Sequence, residues 1–212
     1  MDGTLASGYR PGKSDGPCWD ALAAPLVVLP EPRRRRILFL GLGGGSAARV
    51  ARALVPEALI VGVERDAEVL EAARRHFDLD ALRIELVVAD ALHYLEREAR
   101  EFDAVIEDVF TGPVQHVRKP DWLPRPGYAL AARRLARGGV LVSNTIHETP
   151  AVADALRGLF RTVVAIGVDG YYNHILAGGP VGLEAGRLRR RLRAHPLFRA
   201  VLSRLSLRTL RS

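Results

Sequence analysis

Short apolar runs alternate with amphipathic stretches along the chain from residue 37 onward. Apolar runs bounded by glycine, proline or charged residues predict strands, and apolar positions three or four residues apart predict helices. The predicted strands cover residues 37–40, 58–63, 83–89, 102–109, 140–146, 162–168 and 174–177. The predicted helices cover residues 46–54, 66–76, 91–100, 128–136 and 149–159, with Ser46, Asp66 and Thr149 as their expected N-terminal caps.

Strands that alternate with helices favour an α/β fold with a mainly parallel sheet and helices on both faces. The last two predicted strands are separated only by Asp169–Gly170–Tyr171–Tyr172, which is too short for a parallel crossover and indicates an antiparallel pair. We therefore expect a Rossmann-like, seven-stranded sheet in which the last strand is antiparallel.

The pattern divides the chain into three parts. Residues 1–17 are rich in Gly, Pro, Ser and Asp and are expected to form an arm or the remnant of a hairpin. Residues 18–180 are expected to form the ligand-binding domain, with a long loop at 110–126 that contains four prolines. Residues 181–212 are expected to form a basic helical tail. The leucines expected to face the body are Leu188, Leu192, Leu197, Leu202 and Leu205.

Composition fits one globular domain, because 48% of the 212 residues are hydrophobic and 26% are charged. The single cysteine, Cys18, excludes a disulfide framework and favours a reducing, cytoplasmic location. No apolar run approaches the length of a membrane span, and no signal-peptide pattern is present.

The net charge of +7 is concentrated in the tail, where residues 181–212 carry nine arginines and one acid. The remainder is close to neutral, so the high isoelectric point is weak support for nucleic-acid binding, and nucleic acid is not an expected partner. Only two of the 31 basic residues, Lys13 and Lys119, are lysines. The tail and the arginine run at 33–36 are most simply solvated surfaces.

Candidate chemistry lies where the predicted strands end, because ligands of open parallel sheets bind beyond the carboxyl ends of the strands. A glycine-rich turn, residues 41–45, follows the first strand, and Glu64 ends the second. Asp90 ends the third strand and is also a candidate N-cap of the next helix. Asp108 ends the fourth strand. Glycines that allow close backbone approach, followed by an acid for ribose hydroxyls, indicate an adenosine-type ligand.

Two ligand classes compete at this point. A dinucleotide fingerprint requires glycine where Ser46 stands, and it gives no role to Asp90. A carboxylate in that position can accept a hydrogen bond from an adenine amino group. A glycine-rich turn followed by Glu64, Asp90 and Asp108 resembles the class I S-adenosylmethionine (AdoMet) binding fold. No His, Asp or Glu cluster has metal-ligand spacing, so no metal is expected.

Five motifs resemble the spermidine synthase family, which lies within the class I AdoMet-methyltransferase fold. They are GLGGGS at 41–46, VGVE at 61–64, VADA at 88–91, FDAVIED at 102–108 and YNHIL at 172–176. The resemblance covers roughly residues 17–180. It implies a donor that is AdoMet or decarboxylated AdoMet, a small-molecule acceptor and a homodimer.

The resemblance also implies site residues. The cofactor-binding set is Gly41, Gly43 and Gly45 on the methionine side, Glu64 at the ribose, and Asp90 with Ala91 at the adenine. Asp108 matches the acid that assists deprotonation of the attacking amine, and the loop after it would cover the acceptor. Thr111 and His116 in that loop are the candidate substrate residues, although His116 also fits a simple exposed position.

Two departures leave the activity open. The family has aspartates where this chain has Gly44 and Thr111, and these aspartates bind the propylamine end of the donor and the polyamine. Aminopropyl transfer to an amine is implied by the resemblance, and AdoMet-dependent methyl transfer by the missing acids. A non-catalytic nucleoside-binding protein and an NAD-linked oxidoreductase are the further alternatives.

Overall fold

The computed structural model describes residues 16–113, 116–180 and 182–210, which form an α/β fold around one eight-stranded sheet. The strands are β1 (Arg36–Leu40), β2 (Leu59–Glu64), β3 (Glu85–Val88), β4 (Phe102–Glu107), β5 (Leu135–Thr145), β6 (Thr162–Val168), β7 (His174–Gly179) and β8 (Leu205–Leu210). The helices are α1 (Pro17–Ala23), α2 (Ser46–Leu54), α3 (Ala67–Phe77), α4 (Ala91–Arg97), α5 (Gly127–Arg133), α6 (Thr149–Leu159), α7 (Ala185–Ala194) and α8 (Pro196–Arg199).

The sheet has the order β3-β2-β1-β4-β5-β7-β6-β8. Strands β1 to β5 pair in parallel, with Leu38 opposite both Val61 and Val105, whereas β7 is antiparallel to both β5 and β6. This confirms the predicted mainly parallel sheet. Because β1 to β5 run in one direction, their carboxyl ends meet at a single edge.

Alternate residues of the central strands point to opposite faces of the sheet and pack in two separate apolar layers. In β1, Ile37 and Phe39 pack with α1, α2 and α7, whereas Leu38 and Leu40 pack with α4, α5 and α6. Helices therefore cover both faces, which explains why the central strands are apolar at nearly every position.

The tail differs from the prediction. Residues 205–210 are not helical but form β8, an eighth strand that pairs antiparallel with all of β6 except Thr162. Residues 205–208, Leu-Ser-Leu-Arg, alternate apolar and polar residues, which is the period of a strand. Four of the five expected leucines are buried, but Leu197 is 36% exposed.

Several local expectations are also corrected. Asp66 caps α3 by accepting a hydrogen bond from Glu68 N, as predicted. Ser46 and Thr149 are instead the first residues of α2 and α6, and the preceding residues, Gly45 and Glu148, provide no side-chain cap. Strand β5 begins at Leu135, so residues 135–136 belong to this strand and not to the end of the helix predicted at 128–136. A register shift against β4 accompanies this early start.

The segment before β1 contains structure that the periodicity does not indicate. Helix α1 and the short 3-10 helix Ala24–Val28 are buried, with Ala21, Leu22 and Leu26 at most 1% exposed. A segment buried on nearly all sides has no polar face, so it shows no helical period. The predicted arm lies almost wholly outside the described residues. Among the helices described, none has the length and apolarity needed to cross a bilayer.

Candidate active site

The glycine-rich turn connects β1 to α2 in a conformation that requires glycine. Gly41, Gly43 and Gly45 have φ angles of 77°, 53° and 80°, in the left-handed region. A Cβ atom on Gly41 would lie 2.6 Å from the backbone oxygen of Asp108. The turn is therefore packed directly against the start of the loop that follows β4.

Glu64, at the end of β2, holds this turn. Its Oε2 atom accepts hydrogen bonds from Leu42 N (3.2 Å) and Gly43 N (3.1 Å). Its Oε1 atom accepts from Arg65 N (2.9 Å) and Asp66 N (3.3 Å). A carboxylate has about four lone-pair positions, so a further donor at Glu64 would share or replace the two contacts to the turn.

Asp90 and Ala91 lie beside Glu64, because β3 pairs with β2 and Ala89 N donates to Glu64 O at 3.1 Å. The Oδ1 atom of Asp90 caps α4 by accepting from Leu92 N at 2.9 Å and from the next amide at 3.2 Å. Asp90 is exposed and Ala91 is buried. Capping thus engages one carboxylate oxygen, and the second has no hydrogen bond to the described residues.

Asp108 follows β4 and is half-buried at the same edge. Its backbone N donates to Leu40 O at 2.8 Å, and its Oδ1 accepts from Asn144 Nδ2 at 2.8 Å. The Oδ1 of Asn144 in turn accepts from Asn173 Nδ2 at 3.0 Å. Burial raises the pKa of Asp108 to about 6, although the Lys119 charge and the Asn144 hydrogen bond oppose that rise. This carboxyl group therefore gains and loses its proton close to neutral pH.

Helix α1 places Cys18 near Asp108. Burial, together with the negative charge of Asp108, raises the pKa of the Cys18 thiol to about 12. The thiol stays protonated at neutral pH and is a poor nucleophile. Its contribution to this edge is an apolar wall.

A buried ion pair beneath the loop was not predicted from the sequence. Lys119 Nζ lies 2.6 Å from Glu107 Oε1 and 3.1 Å from Val109 O. The other carboxylate oxygen of Glu107 accepts from Tyr128 Oη at 3.0 Å and Ser143 Oγ at 2.7 Å. The pair ties the loop to β4, β5 and α5. The available signal was that Lys119 is one of only two lysines among 31 basic residues.

The loop after Asp108 is held at two further points. Thr111 and Arg118 form a short antiparallel bridge with N–O distances of 2.8 and 2.9 Å. Lys119 N donates to Glu148 Oε1 at 2.9 Å. His116 is exposed, and its ring makes no hydrogen bond to the described part of the chain. The structure thus brings the glycine turn, Glu64 and Asp108 together but leaves His116 on the outer surface of the loop.

Within the described ranges, no group of three or more His, Cys, Asp or Glu side chains is arranged to hold a metal ion.

The chain is similar in sequence to a methyltransferase domain and to polyamine aminopropyltransferases. The family model described as "Methyltransferase domain" matches residues 37–139, which run from β1 into β5. A polyamine aminopropyltransferase of Mycobacterium tuberculosis is 34% identical over 174 residues, covering 73% of this chain and 31% of that protein. The chain thus spans about a third of the length of this relative.

Two solved structures show the same fold. A probable spermidine synthase from Corynebacterium glutamicum has a TM-score of 0.69 at 24% identity, over 91% of this chain and 73% of that one. Human methyltransferase-like protein 13, in complex with SAH, has a TM-score of 0.72 at 23% identity, over 87% and 91%. This chain has the class I methyltransferase fold. The region that the family model matches, residues 37–139, contains the glycine turn, Glu64, Asp90 and Asp108.

Proposed function

We propose that this protein binds an AdoMet-type sulfonium nucleoside and transfers one of its alkyl groups to a small-molecule acceptor. The observation that carries the proposal is the contact between Gly41 and the backbone of Asp108. It joins a nucleoside-type glycine turn to a half-buried carboxyl group whose pKa is raised to about 6. A donor seated on the turn and an acceptor at Asp108 would meet at one edge of the sheet.

The residues present fit such a donor. The left-handed glycines give a side-chain-free cradle at the end of β1, and Glu64 lies at its rim within hydrogen-bond distance of Gly43 N. Asp90 has one carboxylate oxygen available for an exocyclic amine, since the other caps α4. We propose Gly41, Gly43 and Gly45 for the methionine side, Glu64 for the ribose, and Asp90 with Ala91 for the adenine.

The sulfonium donor supplies an activated carbon, so the protein mainly has to orient the nucleophile and handle its proton. Above pH 6 Asp108 is a carboxylate and can accept the acceptor's proton, while Asn144 fixes its orientation. The loop at 110–126 would exclude water from the acceptor. Thr111 would shape this pocket, and the exposed position of His116 makes it the weaker candidate for contact with the acceptor.

Aminopropyl transfer to an amine is the first candidate, because the aminopropyltransferase relative and the spermidine synthase structure both resemble this chain. Methyl transfer is the second, and a specific feature favours it. Gly44 and Thr111 supply no carboxylate for a donor amine or a polyamine.

The two reactions leave different nucleosides, which gives a direct test. Attack on the methyl carbon of AdoMet leaves S-adenosylhomocysteine, and attack on the propyl carbon of decarboxylated AdoMet leaves methylthioadenosine. Each donor would be incubated with the protein and a panel of monoamines, diamines, alcohols and thiols, with the nucleoside product measured by mass spectrometry. We expect one by-product, at a rate that falls at least about tenfold in Asp108→Asn. Formation of neither by-product from any pair would contradict the proposal.

Three further expectations belong to the same proposal. We place the protein in the cytoplasm, as a homodimer, and without a nucleic-acid partner. Light scattering of the purified protein tests the dimer. Binding of NAD in preference to AdoMet would support the oxidoreductase alternative, and donor binding without turnover would support the non-catalytic one.

A further inference from the structure

The surroundings of Lys119 form a complete site for a primary ammonium group. The Nζ atom lies 2.6 Å from Glu107 Oε1, 3.1 Å from Val109 O and 4.0 Å from the ring centroid of Phe110. A carboxylate, a carbonyl and an aromatic face are the three groups that bind an ammonium most strongly. The Lys119 and Glu107 side chains are only 2% and 1% exposed.

The carboxylate in this site is held in place independently of the lysine. Tyr128 Oη and Ser143 Oγ both donate to Glu107 Oε2, and these two side chains come from α5 and β5. Glu107 Oε1 also accepts from Val109 N at 2.7 Å. The ammonium site is therefore built by the body of the domain, and the loop supplies its occupant.

The charges near the loop leave little room for a second cation. Asp121 is paired with Arg118 at 2.9 Å, and Glu148 accepts from the backbone N atoms of Lys119, Ile146 and His147. Glu148 lies outside the loop. The described part of the segment 108–126 has two carboxylates, and of these Asp121 is bonded to Arg118 whereas Asp108 has no cationic side chain bonded to it. A buried cation without a partner is costly, so one carboxylate supports at most one positive charge.

We propose that Lys119 permanently occupies the one ammonium site next to the acceptor loop, so that the acceptor is a nucleophile with at most one positive charge. Polyamines are excluded because their second ammonium finds its site already filled. The acceptor class rests on the proposed function, whereas the occupied ammonium site does not. The same residue positions the loop, since its side chain and its backbone N are bonded to different elements.

The test removes the occupant and offers a replacement. Lys119→Ala leaves a space of three methylenes and an ammonium beside Glu107. We expect n-propylamine to raise the thermal midpoint of Lys119→Ala, with no comparable rise in the original protein. The neutral isostere 1-propanol should not raise it, and neither should the amine in the matched control Glu107→Gln/Lys119→Ala. Equal responses of all three proteins to n-propylamine, or no response of Lys119→Ala, would overturn the proposal.

If Lys119→Ala does not fold alone, refolding it in n-propylamine or in 1-propanol tests the same site. Recovery of the folded protein in the amine but not in the alcohol supports the ammonium site, and recovery in neither overturns the proposal. The acceptor class is tested by titrating spermidine, for which we expect Lys119→Ala to bind about tenfold more tightly than the original protein. Equal or tighter binding by the original protein contradicts the acceptor class. Titration with S-adenosylhomocysteine tests the proposed function separately. If this nucleoside does not bind, the effect of the amine on Lys119→Ala still tests the ammonium site.

Discussion

Asp108 should destabilise the folded protein at neutral pH, and Asp108→Asn should therefore stabilise it. Burial raises the pKa of this carboxyl group from 3.8 to about 6. A rise of about two units, at 1.36 kcal/mol per unit, corresponds to about 3 kcal/mol against the ionised form. Asparagine keeps the size of the side chain and an acceptor for Asn144, but removes the charge.

The pH dependence follows from the direction of the shift. Because the folded-state pKa lies above the unfolded value, the folded state binds the proton more tightly and loses stability as the pH rises from about 4 to about 6. We expect Asp108→Asn to gain about 3 kcal/mol at pH 8 but only about 1.5 kcal/mol at pH 5. Urea unfolding followed by circular dichroism at the two pH values measures both differences in the free energy of unfolding.

The matched control is Asp121→Asn in the same loop, where the side chain is 92% exposed and its ion pair with Arg118 is a surface one. It should change stability by less than about 0.5 kcal/mol at either pH. A gain for Asp108→Asn that does not depend on pH, or a loss at pH 8, would refute the reasoning. A stabilised but inactive variant is the result typical of a charged group kept for function.

Three other substitutions test the fold and the turn. Gly41→Ala should cost more than about 2 kcal/mol in urea unfolding, because its Cβ meets the Asp108 oxygen at a φ of 77°, whereas Gly158→Ala, with open space around it, should be neutral or stabilising. Phe198→Ala should cost about 3–5 kcal/mol because this tail residue is 0% exposed, while Leu197→Ala, at 36%, should cost about 1 kcal/mol or less. Glu64→Gln should weaken AdoMet binding at least about tenfold by calorimetry, since its amide nitrogen cannot accept from the turn.

Much of the nucleoside side of the site can be predicted from the sequence. Gly41, Glu64, Asp90 and Asp108 each follow a short apolar run, and parallel pairing then brings the ends of these runs to one edge. This prediction needs only the strand order, because each residue is placed by the strand directly before it.

The acceptor side cannot be predicted in this way. The contact between Lys119 and Glu107 depends on the path of a proline-rich loop, which has no period. The hydrogen bond of Asn173 to Asn144 depends on the antiparallel return of β7. Helix α1 and strand β8 were missed for other reasons, since α1 is buried almost all round and the leucine spacing in the tail suits a helix as well as a strand.

The central claim is that the glycine turn, Glu64 and Asp90 bind an AdoMet-type nucleoside. A calorimetric titration of the purified protein with AdoMet, decarboxylated AdoMet and NAD, side by side, tests it most directly. We predict saturable binding of at least one of the two sulfonium donors, and no comparable binding of NAD. Binding of NAD alone, or of none of the three, would contradict the account.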